Sequence, residues 1–438
     1  MLAYYLSPRK ARNVVLLLFS LFFYGWGEPV YLFLMVGVIL INYFSGIFIG
    51  KARNRGLSEK RILIIGIVAN LIILGFFKYA VFLMSMIPFL SWVKIPQIPL
   101  PIGISFYTFQ SMSYIIDVYR RDVPVQKNVL TFGTYVTLFP QLIAGPIVRY
   151  SDVAEQMDYR QENLENFSSG ILLFILGLSK KVLLANPMGS FWNMMQNQPG
   201  TLAAWIGITA YSLQIYFDFS GYSDMARGLG RMFGFEFLEN FNYPYISKSI
   251  TEFWRRWHIS LSTWFREYVY IPLGGNRRGP KRQIINLLIV WALTGLWHGA
   301  SWNFVLWGVY YALLLILEKT ILLKKLEKSP DVIRHAYTIV VVILGWALFY
   351  FEDSKALGNF FVRLFTPAAS DLSAILSYVP LLVLSILAAT PLGKKLYQTH
   401  ADRAVVRLLG IAGAAILLLL CTAALASQSY NPFIYFRF

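Results

Sequence analysis

One cysteine, Cys421, occurs in 438 residues. A single thiol can close no disulfide within the chain and build no cysteine metal site. Its apolar surroundings give it a packing role. Charge is also scarce: 14% of residues are Asp, Glu, Lys or Arg, against about 25% in a soluble domain. An ordinary water-facing surface is thereby excluded for most of the chain. Acids are rarer than bases, 22 against 39. There are four histidines, no His-Glu-x-x-His and no cluster with zinc-ligand spacing, so no metal is expected. The run Gly228-Leu229-Gly230-Arg231-Met232-Phe233-Gly234 lacks the spacing and the βαβ context of a dinucleotide loop; its small residues suit helix packing. No linker, repeat or low-complexity run divides the chain. Met1 to Pro8 is too short for the apolar core of a cleaved signal.

What remains is apolar. Hydrophobic residues make up 57% of the chain and aromatics 17%. A spanning helix needs about 20 apolar residues. Candidate spans lie near residues 14–26, 29–50, 62–78, 79–93, 100–116, 129–148, 167–185, 202–219, 284–299, 302–323, 336–351, 374–391 and 405–427. Some are short, and the first ends at Gly25-Trp26-Gly27-Glu28-Pro29, a break suited to a hairpin. The expected fold is all-α and integral to the membrane: one polytopic domain over 1–438, a multi-span bundle of roughly ten or eleven embedded helices. Short re-entrant or interfacial helices would surround a central channel. Residues 220–283 carry no clean span and are rich in Trp, Arg, Tyr and Pro. Such a stretch cannot meet lipid as irregular backbone, because its amides would be unpaired.

The net charge of +17 does not point to nucleic acid. The basic residues sit between spans: Arg9, Lys10 and Arg12; Lys51, Arg53, Arg55, Lys60 and Arg61; Arg277, Arg278, Lys281 and Arg282; Lys324, Lys325 and Lys328; Lys394, Lys395, Arg403 and Arg407. Basic loops mark the cytoplasmic side and face anionic lipid headgroups. They also suit a phosphorylated cytosolic cosubstrate.

Two histidines fall within apolar surroundings: His258 in Phe253-Trp254-Arg255-Arg256-Trp257-His258-Ile259-Ser260, and His298 in Gly295-Leu296-Trp297-His298-Gly299-Ala300. An ionisable group at bilayer depth is costly and marks a functional candidate. Imidazole suits proton transfer near neutrality. The alternative for His298 is a neutral core histidine bonded to a carbonyl. For His258, neighbouring Arg255 and Arg256 suggest an interface. His335 and His400 lie in basic loops and read as surface residues. Asp218 and Asp224, closing an apolar run, could orient a histidine or pair with Arg227 or Arg256.

Four segments together resemble the membrane-bound O-acyltransferase superfamily: Tyr216-Phe217-Asp218-Phe219-Ser220-Gly221-Tyr222-Ser223-Asp224-Met225-Ala226; Glu252-Phe253-Trp254-Arg255-Arg256-Trp257-His258-Ile259-Ser260-Leu261-Ser262-Thr263-Trp264; Tyr270-Ile271-Pro272-Leu273-Gly274-Gly275; and Gly295-Leu296-Trp297-His298-Gly299. Pro101-Ile102-Gly103-Ile104-Ser105-Phe106, Phe139 to Arg149 and Phe433 to Phe438 are similar to its alginate O-acetyltransferase branch. The resemblance covers nearly the whole chain. Its one departure is a first apolar segment shorter than the branch's, as in a truncated N-terminus.

The resemblance implies a bacterial cytoplasmic-membrane enzyme. It would move an acyl group, acetyl by implication, from a cytosolic thioester such as acetyl-CoA to hydroxyls of an extracytoplasmic polysaccharide, directly or through an extracytoplasmic acetyltransferase partner. No bound cofactor is implied. His298 matches the family's active-site histidine and His258 the branch's second histidine. A related branch carries D-alanine from a carrier protein to teichoic acid; the Pro-Leu-Gly-Gly-Asn-Arg-Arg loop favours the acetyl branch. A transporter or flippase for a lipid-linked sugar is the alternative of another class, although the pseudo-symmetric halves common in transporters are not visible. A basic mouth including Arg255, Arg256 and Arg266 would attract a phosphorylated donor. Tyr435, in Phe433-Ile434-Tyr435-Phe436-Arg437-Phe438, has two readings. Aromatics and a cation suit an interfacial anchor. Alternatively the phenol, with a pKa near 10, accepts the acyl group and passes it on.

Overall fold

The computed structural model describes residues 1–87, 98–427 and 431–434. Among these, all regular structure is helical and no strand occurs. Six helices are long and apolar enough to cross a membrane: Tyr31–Asn54, Glu59–Ser85, Leu164–Met195, Trp302–Leu326, Asp331–Tyr350 and Ala404–Ser427. Leu372–Ala388 and Leu392–His400, bent by 60°, form a seventh if taken together. The chain is a multi-pass membrane protein, but fewer helices pass this test than the ten or eleven expected.

The shortfall has local causes. The spans expected near 62–78 and 79–93 share one uninterrupted helix, Glu59–Ser85; the later part of the second lies outside the described residues. The expected span near 129–148 is helical only over Val129–Thr137. Asn128 opens it, its side chain accepting from the amides of Leu130 (2.9 Å) and Thr131 (3.4 Å), a capping arrangement for otherwise orphaned donors. Pro140 follows Thr137 closely, and proline cannot continue a helical ladder.

Residues group into two compact units, 1–171 with 226–238, and 172–225 with 239–438. In the first, polar side chains join helices. Asn42 and Asn70 exchange amide hydrogen bonds, both 2.9 Å. Arg53 bonds Glu59 at 2.7 Å and the carbonyls of Val118 and Tyr119. At the glycine-rich run, helix Leu164–Ser179 comes so close that a Cβ on Gly170 would meet the Gly228 carbonyl at 2.7 Å, the helix packing expected of it.

The second unit is built on an aromatic core. Trp192, Trp297, Trp307, Trp346 and Tyr311 are almost wholly buried. Helices Pro280–His298 and Trp302–Leu317 meet backbone to backbone: a Cβ on Gly295 would strike the Phe304 carbonyl, and one on Gly308 the Trp291 carbonyl. Only glycine allows so close an approach. The small residues around His298 therefore admit a neighbouring helix. The 220–283 stretch contains two short helices, Ile250–Arg256 and Ile259–Phe265, joined through Trp257 and His258.

Candidate active site

His298 is the last residue of the Pro280–His298 helix, and Gly299 leaves it in extended conformation. The residue is 7% exposed. Trp297, Trp307 and Phe349 meet it edge to face at 5.1, 5.1 and 5.2 Å between centroids. Edge-to-face contacts of this kind fix ring orientation. His258 is buried too, against Phe219 at 4.7 Å and Trp297 at 5.9 Å. Trp297 thus touches both histidine rings.

His258 caps the Ile259–Phe265 helix with φ +44°. Left-handed backbone is uncommon for a residue other than glycine, and surroundings must hold it. Asn240 does so. Its side-chain oxygen accepts the Ser260 amide at 3.1 Å, the Ser260 hydroxyl at 2.9 Å and meets His258 Nδ1 at 3.2 Å. A backbone N–H only donates, so this Asn240 atom is the oxygen. An amide oxygen only accepts, so Nδ1 carries the proton. Nε2 of neutral His258 is then an acceptor, and among the described residues it meets no hydrogen-bond partner. A lone pair there holds an N–H or O–H group. It cannot hold a carbonyl unless the ring is protonated.

The two histidines line one cavity of about 670 Å³, within the size range of small-molecule sites. Its wall also carries Arg255, Arg266, Lys319 and Trp254. Arg256 is elsewhere occupied: it pairs with Glu252 at 2.9 Å and donates to the Asn242 carbonyl. The structure therefore brings Arg255 and Arg266 to the histidines but does not bring Arg256 with them. Consecutive helical residues point about 100° apart, which separates the two arginines. Lys319 was not anticipated from sequence. It lies in a π-helical stretch, Glu318–Leu322, and such bulges often accompany functional sites.

Glu318 was also missed. It is fully buried, and its carboxylate accepts the amides of Ile250 (2.6 Å) and Thr251 (2.8 Å) and the Thr251 hydroxyl (2.7 Å). These are the orphan donors at the start of the Ile250–Arg256 helix, so Glu318 fixes the element that carries Arg255 and leads into His258. An isolated glutamate after an apolar run gave no sign of this partner some 70 residues away.

His298 and Trp257 also line a second, small cavity of about 30 Å³, with Asp218, Phe219 and Ile434. Asp218 pairs with Lys181, and Asp224 pairs with Lys180 at 2.6 Å. Neither lysine is marked as a partner by its place in the apolar run 167–185. Asp218 Oδ2 accepts the Ile434 amide at 2.8 Å. Tyr435 itself lies outside the described residues. His335 and His400 lie apart from both cavities; their Nδ1 atoms meet the Ser247 and Leu396 carbonyls. Among the described residues no group of three or more His, Cys, Asp or Glu could hold a metal.

The arrangement provides a buried imidazole facing two spaces, one large and basic, one small and lined in part by Ile434. The membrane-bound O-acyltransferase family model matches residues 124–330, which include both histidines. A probable alginate O-acetylase, AlgI, of Azotobacter vinelandii is 40% identical over 99% of this chain and 96% of its own. Another, of Pseudomonas syringae, is 45% identical over 83% of this chain and 72% of its own. The peptidoglycan O-acetyltransferase of Helicobacter pylori is 35% identical over 80% and 73% respectively. The chain belongs to the membrane-bound O-acyltransferase family and is a multi-pass O-acyltransferase.

Proposed function

We propose that the protein transfers acetyl groups from acetyl-CoA to hydroxyls of an extracytoplasmic polysaccharide, alginate or a polymer of similar chemistry, in a bacterial cytoplasmic membrane. The observation that carries this reading is that His298 lines both cavities. A phosphorylated donor suits the larger one, where Arg255, Arg266 and Lys319 supply positive charge. The relatives named for alginate and peptidoglycan acetylation support the acyl group and the acceptor class.

A hydroxyl attacks a thioester poorly until a base removes its proton. In the proposed first step His298 takes the proton from an attacking O–H while the oxygen adds to the acetyl carbonyl. The C–S bond then breaks, and the imidazolium returns its proton to the departing CoA thiolate. His258, with Nδ1–H committed to Asn240, offers Nε2 to an N–H or O–H of donor or acceptor. Tyr435 is the attacking group in this reading. Its phenyl ester is activated compared with a sugar ester, and such an intermediate divides one hard transfer into two easier ones. In the second step an acceptor hydroxyl, of the polymer or of an extracytoplasmic partner enzyme, displaces the phenol and receives the acetyl group. Ile434, the preceding residue, lining the His298 cavity supports Tyr435 as relay over simple anchor.

The test uses purified protein with radiolabelled acetyl-CoA. The expected results are release of free CoA and, without acceptor, a label on Tyr435 found by mass spectrometry. A transporter would release no CoA. Tyr435→Phe keeps the ring and loses the hydroxyl, so full polymer acetylation by that variant would eliminate the relay.

A further inference from the structure

We propose that Lys181 and Asp218 form a seat for residues 432–434, and that this seat positions the chain for acyl transfer at His298. The proposal builds on the relay through Tyr435.

The seat begins with two glycines. A Cβ on Gly177 would lie 2.5 Å from the Gly221 carbonyl, and one on Gly221 2.7 Å from the Gly177 carbonyl. The segments bearing them approach at a distance that only glycine permits. Just past Gly177 the helix becomes π-helical over Lys180–Ala185. Lys180 then reaches Asp224, and Lys181 reaches Asp218. The second pair is the deeper, its side chains 7% and 3% exposed against 28% and 17% for the first.

Burying two charges costs several kcal/mol per ion unless their remaining hydrogen-bond capacity is used. Here both members turn it on one short segment. Lys181 Nζ donates to the Pro432 carbonyl at 3.0 Å. Asp218 Oδ2 accepts the Ile434 amide at 2.8 Å. Between them, the Phe433 ring lies 4.7 Å from Lys181 Nζ and meets Tyr222 edge to face at 5.0 Å. Three consecutive residues are therefore held by charge-assisted bonds at both ends and a cation–π contact in the middle. Pro432 has its φ fixed already, which lowers the entropy lost on docking. Ile434 is buried and lines the His298 cavity beside Asp218. Neither Lys181 nor Asp218 lines the larger cavity. Disturbing them should leave donor affinity alone and change turnover.

An ion pair that merely stabilises the helices would make different predictions. The test starts from Cys421→Ser, which removes the only thiol, and adds Ile434→Cys, buried while the segment is docked and still offering its backbone amide to Asp218. In detergent, Lys181→Met should raise maleimide labelling of that cysteine by about tenfold or more, the loss expected for one charge-assisted hydrogen bond. Without the added cysteine, Lys181→Met should lower kcat by a similar factor with KM for acetyl-CoA unchanged, and Lys181→Arg should restore part of both. The exchanged pair, Lys181→Asp with Asp218→Lys, keeps the ion pair but reverses donor and acceptor towards the segment. It should recover thermal stability but neither protection nor turnover. Wild-type labelling and turnover in a folded Lys181→Met protein would overturn the seat, as would full rescue by exchange. If the exchanged pair fails to fold, Lys181→Met and Lys181→Arg decide. Tyr435→Phe addresses the relay alone: full activity there, with raised labelling in Lys181→Met, would remove the relay and leave the docking.

Discussion

Both units bury polar groups among apolar helices, and they spend the cost differently. In the first, two sets of such groups close on one another. Asn42 and Asn70 satisfy each other across two helices. Glu162 takes a hydrogen bond from Tyr4 at 2.7 Å and an ion pair from Arg12 at 2.7 Å. Burial pushes the Glu162 carboxyl up, but Tyr4 and Arg12 outweigh it and hold the group below the usual carboxylate range. In the second unit, Glu318 closes in the same way on Ile250 and Thr251, but several other buried polar groups open onto cavities. His298 lines two of them, His258 turns one nitrogen to Asn240 and keeps the other as an acceptor, and Arg255, Arg266 and Lys319 share a cavity wall. A closed pair contributes to stability alone. A buried group left facing a cavity has capacity for a substrate. If that contrast is right, substitutions in the two units should separate activity from stability.

The largest effect belongs to His298. His298→Ala should lower polymer acetylation by about 10²–10⁴, the usual contribution of a general base, with membrane insertion and thermal stability close to wild type. Acetylation assayed at matched expression checks it, and a fully active variant would remove the main difference between the units. Combining it with His258→Ala should add little if both rings serve one transition state, because groups acting as a unit are not additive.

Asn240 comes next and sharpens the contrast, since it touches His258 and not the chemistry. Asn240→Leu removes the acceptor for three donors and the restraint on the His258 tautomer. Misplacing a catalytic group by about 1 Å can cost on the order of 10²-fold in rate. The expected signature is a fall in kcat with a shifted pH–rate profile, partly restored by Asn240→Asp, whose carboxylate still accepts from Nδ1–H. An unchanged pH profile in a less active Asn240→Leu protein would assign Asn240 to stability, as in the first unit.

The sequence made part of this legible. Scarce charge, basic loops and apolar runs were enough for a multi-pass helical protein, and His258 and His298 stood out because imidazole is costly in apolar surroundings. Long-range partners were hidden. Nothing local to Asn240 marks it as the partner of a residue 18 positions on. Glu318 and Lys319 fall where an apolar helix widens to π geometry, which has no compositional sign. Asp218 was noticed, but its lysine lies 37 residues earlier and is brought across by glycines whose meaning depends on what approaches them. Arg255 and Arg256 look alike in sequence, yet one faces the cavity and the other pairs with Glu252.

That last distinction gives the third prediction. Arg255→Ala and Lys319→Ala should each raise KM for acetyl-CoA by about tenfold, the order expected for losing a charge-assisted contact to phosphate, with kcat little changed. Arg256→Ala should leave KM within about twofold, because its guanidinium is engaged by Glu252 and the Asn242 carbonyl. Titration of acetyl-CoA in the CoA-release assay measures all three. Equal effects at Arg255 and Arg256 would mean that charge near the mouth matters in bulk and that the cavity wall does not select.

The smallest effect tests the other side of the comparison. Asn42→Leu leaves the Asn70 amide without its partner inside the first unit, on helices Tyr31–Asn54 and Glu59–Ser85. In water a buried amide so orphaned would be a severe loss. Within a membrane bundle, interhelical hydrogen bonds average about 0.6 kcal/mol, since the separated helices also find partners. Both asparagines keep a local bond as well: Asn42 donates to the Val38 carbonyl and Asn70 to that of Gly66. Asn42→Leu should therefore lower stability by about 1 kcal/mol or less in detergent unfolding, and the double variant Asn42→Leu with Asn70→Leu should lie close to wild type, both polar groups having been replaced together. Acetylation by the double variant should match that of the wild type. A double variant that is stable but inactive would show that the first unit's closed pairs also serve the reaction, and the division between closing and opening buried polar groups would fail.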